Sequence, residues 1–196
     1  MTPLPGAASS CARLAIEGDI ARLVELYSAA VGELSVMRGG RVLIGLNGHD
    51  GSLESSFRRQ LTDPGQLVVV GSLDRGVHGS ESAGDLSGGA GASPAGPPAA
   101  GAGGGGNVVG YGTCRLLELS DGERVGSVQD LYVDPLVRRR GVGRAMADHM
   151  VSWCVEQGCI GVDANALPGS RAVKSFFEAG RFTARLLVMH RPLPPA

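Results

Sequence analysis

Leu131-Tyr132-Val133-Asp134-Pro135-Leu136-Val137-Arg138-Arg139-Arg140-Gly141-Val142-Gly143-Arg144-Ala145 is the stretch on which the reading of this 196-residue chain turns. An apolar strand ends at Val133. Asp134-Pro135 breaks it, because proline donates nothing to a ladder and restricts the residue before it. A basic loop then enters a helix with two glycines at its mouth. The first N–H groups of a helix have no internal partner, and the helix dipole adds partial positive charge there. Gly141 and Gly143 present no Cβ, so an anion can approach the main chain. Arg138, Arg139, Arg140 and Arg144 add charge. These features together make a cradle for a pyrophosphate.

Other phosphate-binding patterns fail. The string Gly-x-x-x-x-Gly-Lys-Ser/Thr is missing, and a dinucleotide fingerprint needs a third glycine where Met146 stands. What the stretch matches is Arg/Gln-x-x-Gly-x-Gly/Ala, at Arg138, Gly141 and Gly143. It resembles the GNAT superfamily of N-acyltransferases, whose corresponding loop holds the pyrophosphate of acetyl-CoA. The upstream Leu-Tyr-Val-Asp-Pro and the block from 172 to 182 are similar to the family as well.

The flanking sequence supplies the elements. A helix is expected from an Asp19 N-cap to about Val31, with Ile20, Leu23, Val24, Tyr27 and Val31 on one face. A shorter helix is expected over 53–61; residues 32–51 carry no clear pattern. Strands at 66–73 and 107–119 read as a hairpin, and Asp121-Gly122 favours a two-residue turn into a third strand at 124–133. The next helix runs from Gly141, through Val142, Met146, Met150 and Trp153, to a Gly158 stop. A strand at 159–164, a helix from Pro168 to Gly180 with Val173, Phe176 and Phe177 inward, and a last strand at 182–190 complete the order β-α-α-β-β-β-α-β-α-β. The expected fold is an α+β, three-layer αβα sandwich, with a mixed, mostly antiparallel sheet of six to seven strands and about four helices. Residues 74–106 are mostly Gly, Ala, Ser and Pro and are expected to form a flexible insertion in a single domain over 11–192, with residues 1–10 disordered.

Composition narrows the function. Net charge is −1, and no aromatic stacking set accompanies the arginine triplet, so nucleic acid is not an expected partner. No apolar run reaches the roughly 18 residues of a membrane span, and the first ten residues lack the layout of a signal peptide. Cys11, Cys114, Cys154 and Cys159 fit neither a metal site nor a redox pair. Buried, reduced thiols in a cytoplasmic protein without a metal centre are the expectation.

The resemblance implies a site. The strand carrying Leu131 and Val133 would splay from the strand at 159–164 and leave a gap for the pantetheine arm. Leu131, Val133, Arg138, Arg139, Arg140, Gly141, Val142, Gly143, Arg144, Ala145 and Phe177 would contact acetyl-CoA. The Val133 N–H would face the thioester carbonyl. The acceptor would be an amine of a small molecule or a peptide, and a homodimer is compatible with the family. The residue corresponding to the family's tyrosine acid is Phe176, which has no proton to give, and the block opens on Gly169 where the family often has Asn. Tyr132 is the nearest other hydroxyl, though it alternates away from Val133 and reads as sheet filler. By period 2, Ser127, Gln129 and Leu131 share the face of Val133. Gln129 would then orient substrate or water, and Asp130 becomes a candidate base only if a bulge intervenes. Of the histidines, His78 lies in the insertion, His149 near a helix surface, His49 in the variable loop and His190 at the end of the last strand. Phe176 leaves a second reading open, a module that binds acyl-CoA without turning it over.

Overall fold

The computed structural model describes residues 9–49, 51–74 and 107–193. The expected insertion, apart from Asp74, and His78 lie outside them. The described elements are β1 (Ser9–Leu14), α1 (Ile20–Ser35), α2 (Gly40–Leu46), α3 (Leu53–Thr62), β2 (Gln66–Asp74), β3 (Val108–Glu118), β4 (Arg124–Val133), α4 (Val142–Glu156), β5 (Gly161–Ala164) and α5 (Arg171–Ala179). The strands lie in spatial order β1-β2-β3-β4-β5. The first four pair antiparallel, and β5 joins β4 in parallel after the α4 crossover. β1 begins at Ser9, two residues ahead of the expected domain start.

Helices cover both faces of this sheet. On one face α1 buries Ile20, Leu23, Leu26, Tyr27 and Ala30, and α3 buries Phe57, against Val68, Val70, Val108 and Tyr111. On the other, α4 lays Val142, Met146, Met150 and Cys154 over Val69, Val109, Cys114 and Val128. The alternation of β2, with Val68 and Val70 to one side and Val69 to the other, divides the two cores. The α+β sandwich read from the sequence is the fold of the chain.

Several details differ. Five strands form among the described residues, because residues 182–190 make no ladder. Leu186, Leu187, Val188 and Met189 there are exposed, and Arg185 is tied to Asp163. An apolar run becomes a strand only with a partner edge, and the four-residue β5 offers a short one. The helix α2 within 32–51 has no clear signature in the sequence. α1 runs four residues beyond Val31. Asp19 occupies the N-cap position, but its carboxylate accepts from Arg13 and from the Ile16 N–H and does not cap α1. Val173 is 39 % exposed, so α5 turns Phe176 and Phe177 inward without it. The turn after β3 has three residues, closed by Leu119 and Glu123, because Gly122 takes a left-handed conformation (φ 84°) of the kind that suits a bulged hairpin. Cys114 and Cys154 are buried thiols, whereas Cys11 is exposed beside Ser72.

Candidate active site

The site begins where β4 and β5 part. Their pairing ends at Val128 opposite Ala164, and β4 continues for five residues without a β5 partner. Along this free stretch the Asp134 N–H bonds the Val109 carbonyl on the β3 side. In an antiparallel ladder such bonds alternate, so the main-chain groups of Leu131 and Val133 point away from β3, into the gap. The Val133 carbonyl accepts there from Arg138 Nε at 2.8 Å. The side chains of Leu131 and Val133 pack toward α4.

At the end of the gap stands the mouth of α4. Gly141 is left-handed (φ 85°), and its Cβ position falls 2.8 Å from Ser10 Oγ, so only glycine fits this turn. The first internal bond of the helix is Ala145 N–H to the Gly141 carbonyl, and among the described residues no side chain caps the end. The N–H groups of Val142, Gly143 and Arg144 are therefore available to an anion. Arg139 and Arg140 are exposed beside them, without an ion pair among the described residues. The other two arginines are engaged. Arg138 grips both Glu33 oxygens at 2.8 Å and lies over the Tyr132 ring, which pins the loop to α1. Arg144 pairs with Asp148 and donates to the Ala179 carbonyl, which holds α5 against α4. Phe176 borders the mouth, 3.5 Å from where a Gly143 Cβ would stand. Phe177 turns instead to Phe182.

On the opposite face of β4 the ladder contains a bulge. Thr113 faces Asp130 and Cys114 faces Val128, so Gln129 is the extra residue. This breaks the period-2 reading. Val128, not Ser127 or Gln129, shares the α4 side with Leu131 and Val133. Gln129 turns with Asp130 toward α2 and α3. Its carbonyl, freed from the ladder, accepts from Asn47 Nδ2 at 2.9 Å, and its side chain donates to Ser127 Oγ at 2.7 Å.

The bulge delivers Asp130 to a half-enclosed position, where its carboxylate accepts from Thr113 Oγ1 at 3.1 Å. Burial pushes its pKa up to about 6, against the lowering effect of that hydrogen bond. Tyr27 and Tyr111 lie near enough to feel its charge, and burial raises both of their pKa values. Tyr111 is fully buried, and its hydroxyl has no partner among the described residues. His49 packs edge-on against Tyr27 at 4.4 Å, with Nδ1 at 2.7 Å from Ser56 Oγ. Burial, reinforced by Arg59, lowers its pKa. Neither tyrosine nor Ser56 announces such a role in the sequence; the bulge brings the cluster together. Tyr132 donates its hydroxyl to Glu33 at 3.0 Å, away from the gap, and burial raises its pKa. His149 is half-buried in α4, and His190 is exposed in the tail.

A sequence model of the Acetyltransferase (GNAT) family matches residues 81–180. No curated protein matches the sequence. Solved structures share the fold. An aminoglycoside acetyltransferase from an uncultured soil metagenomic sample, determined with sisomicin, has a TM-score of 0.60 at 17 % identity, covering 95 % of this chain and 97 % of its own. A Trypanosoma brucei acetyltransferase gives 0.57 at 18 %, over 94 % and 100 %. A ribosomal-protein-alanine N-acetyltransferase from Brucella melitensis biovar Abortus 2308 gives 0.59 at 14 %, over 95 % and 100 %. At these identities the likeness is one of fold.

Proposed function

Given that the chain belongs to the GNAT acetyltransferase family, we propose that it moves an acetyl group from acetyl-CoA to an amine, by direct attack within a ternary complex. The observation that carries this reading is the open β4–β5 gap, which has unpartnered helix N–H groups at one end and a carboxyl of raised pKa on its other side. When bound, acetyl-CoA would supply an activated acetyl thioester. The chain has groups that fit it. The first turn of α4 and the exposed Arg139 and Arg140 suit a pyrophosphate, and the free edge of β4 suits the amides of a pantetheine arm. Leu131, Val133, Val142, Gly143 and Arg144 supply the main-chain groups of this surface, whereas the Ala145 N–H is held by the Gly141 carbonyl. Arg138 and Arg144 serve it by fixing the loop and α5.

Asp130 is the proposed base. An ammonium acceptor must lose a proton before it attacks, and a carboxyl titrating near 6 is ionised at neutral pH yet more basic than an ordinary aspartate. The Val133 N–H, turned into the gap, is the donor placed to meet negative charge on an acyl oxygen. Gln129 and Asn47 hold the bulge that aims Asp130. With Phe176 in place of a hydroxyl and Tyr132 committed to Glu33, the thiolate leaves without a protein acid. Thiols ionise close enough to neutrality to make this workable.

Acetyl-CoA at a hundredfold excess over its Kd should stabilise the protein by roughly 2.7 kcal/mol. Gly143→Asp, which sets a negative charge at the helix mouth, should remove the shift in melting temperature and keep the fold. An unchanged shift in the variant would reject the assignment of the loop. Release of CoA with a panel of amines tests turnover. Saturable binding without release on any amine would favour the alternative of a binding module.

A further inference from the structure

A cleft of about 310 Å³ opens on the α1–α3 face, directly against Asp130. Thr113, Gln129 and Asp130 line one part of it. α3 brings Arg59 and Gln60 to it, and β3 brings Arg115. Thr113 and Arg115 pair with Val68 and Gln66 of β2 in unbroken register, so they share a face about 7 Å apart. A long guanidinium arm can close that distance. Arg115 is exposed and makes no ion pair among the described residues. Arg59 lies close enough to act on His49. The Gln60 side-chain oxygen is buried without a hydrogen-bond partner among the described residues.

A guanidinium without an ion pair among the described residues, Arg115, and a carboxylate in one small cleft favour a ligand of both signs. Cationic charge is drawn to Asp130 and anionic charge to Arg115. A polycationic acceptor would gain the first attraction and meet repulsion from Arg115. The volume lies at the small end of ligand sites, suited to a molecule about the size of an amino acid. The geometry points to an acceptor that carries an anionic group, a carboxylate or a phosphate, beside the amine that faces Asp130. This inference rests on the reading of Asp130 as the base of an amine acetyltransferase.

Matched pairs test it by titration calorimetry on the full chain in the presence of CoA. Phenylalanine with phenethylamine and histidine with histamine probe the carboxylate; phosphoethanolamine with ethanolamine probes the phosphate. The anionic member of at least one pair should bind about tenfold more tightly than its partner, equivalent to ~1.4 kcal/mol. Arg115→Gln should cut that preference to about threefold or less, and Arg115→Lys should restore part of it, because a point charge replaces a fork. Equal or tighter binding of the other member in every pair overturns the inference. So does a preference unmoved by Arg115→Gln, or no binding by any anionic member. Thiol release from acetyl-CoA is followed on the same pairs. Anion preference without release counts against acetyl transfer and leaves the ligand class standing, whereas release without preference does the reverse.

Discussion

Asp130 ionises at about 6, later than an ordinary aspartate, because burial opposes its charge and, among the described residues, Thr113 alone offers a hydrogen bond to offset it. The shift has a thermodynamic sign. Between about pH 4 and 6 the native protein holds a proton that the unfolded chain has released, so this group's contribution to stability falls as pH rises through that window. Asp130→Asn has no such proton. Its unfolding free energy should therefore gain on that of the parent from pH 4 to pH 7, by at most about 3 kcal/mol, as read from urea melts at each pH. The same substitution should cost 10²–10⁴ in kcat/KM, by order of magnitude for a lost base, and should remove a limb of the pH profile near 6. A profile with the limb intact would take the base role from Asp130. Phe176 invites the complementary change. It borders the α4 mouth beside Gly143, so Phe176→Tyr adds a hydroxyl at the edge of the gap and not in the core. The variant should fold, with kcat the same or higher, on the first amine that gives turnover. A large loss with folding intact would show that the bare phenyl ring is needed against cofactor or substrate.

The seating of α4 depends on a stripe of glycines. Val142, Met146, Met150 and Cys154 follow one another at intervals of four, and each rests where the sheet lacks a side chain. A Cβ on Gly71 would come within 2.5 Å of Val142 Cγ1, on Gly110 within 2.9 Å of Met146 Cε and on Gly112 within 3.1 Å of Met150 Cε, and one on Gly126 would overlap Cys154 Sγ. Gly126→Ala should therefore cost roughly 1–3 kcal/mol of stability by overpacking. Cys154→Ala in the same chain should return part of it, a coupling that denaturant melts of the two single variants and the double can measure. Gly161→Ala, where a Cβ meets nothing within 4 Å, serves as the control. Additive losses would mean that the helix simply shifts outward. This stripe explains part of what could be read in the sequence and what could not. The spacing of Val142, Met146 and Met150 declares a buried helical face, and Gly141 and Gly143 declare its mouth. The glycines that receive the helix are scattered over three strands, and their pairing exists only once register is set. The bulge at Gln129 is similar. Strand periodicity predicts faces for an unbroken ladder, and a single inserted residue reverses them. The cluster of Tyr27, His49, Tyr111 and Asp130 draws on four separate elements or loops, so no local pattern contains it. For residues 182–190 the failure ran the other way: their apolar character reads as a strand, but the edge that must receive one lies elsewhere in the chain.

The two halves of the proposed binding surface come from opposite faces of one sheet, α4 and the gap on one and the Asp130 cleft on the other. Both depend on β3 lying in register between β2 and β4. Ser72 stands opposite Val108 at the open end of the β2–β3 pair, and the ladder below it runs to Gln66 opposite Arg115. That pairing needs nothing from residues 75–106 beyond a connection. Joining 74 to 107 through a four-residue turn in place of these 32 residues removes three doublings of loop length, which lowers the closure cost by about 2 kcal/mol. The shortened chain should fold, melt at an equal or higher temperature and keep its stabilisation by acetyl-CoA, because the α4 mouth, the gap and the cleft are built from residues on either side. Thermal melts with and without acetyl-CoA make the comparison. Soluble protein that has lost the acetyl-CoA shift would place part of the cofactor site within residues 75–106, and loss of soluble protein would show that the segment contributes to the fold.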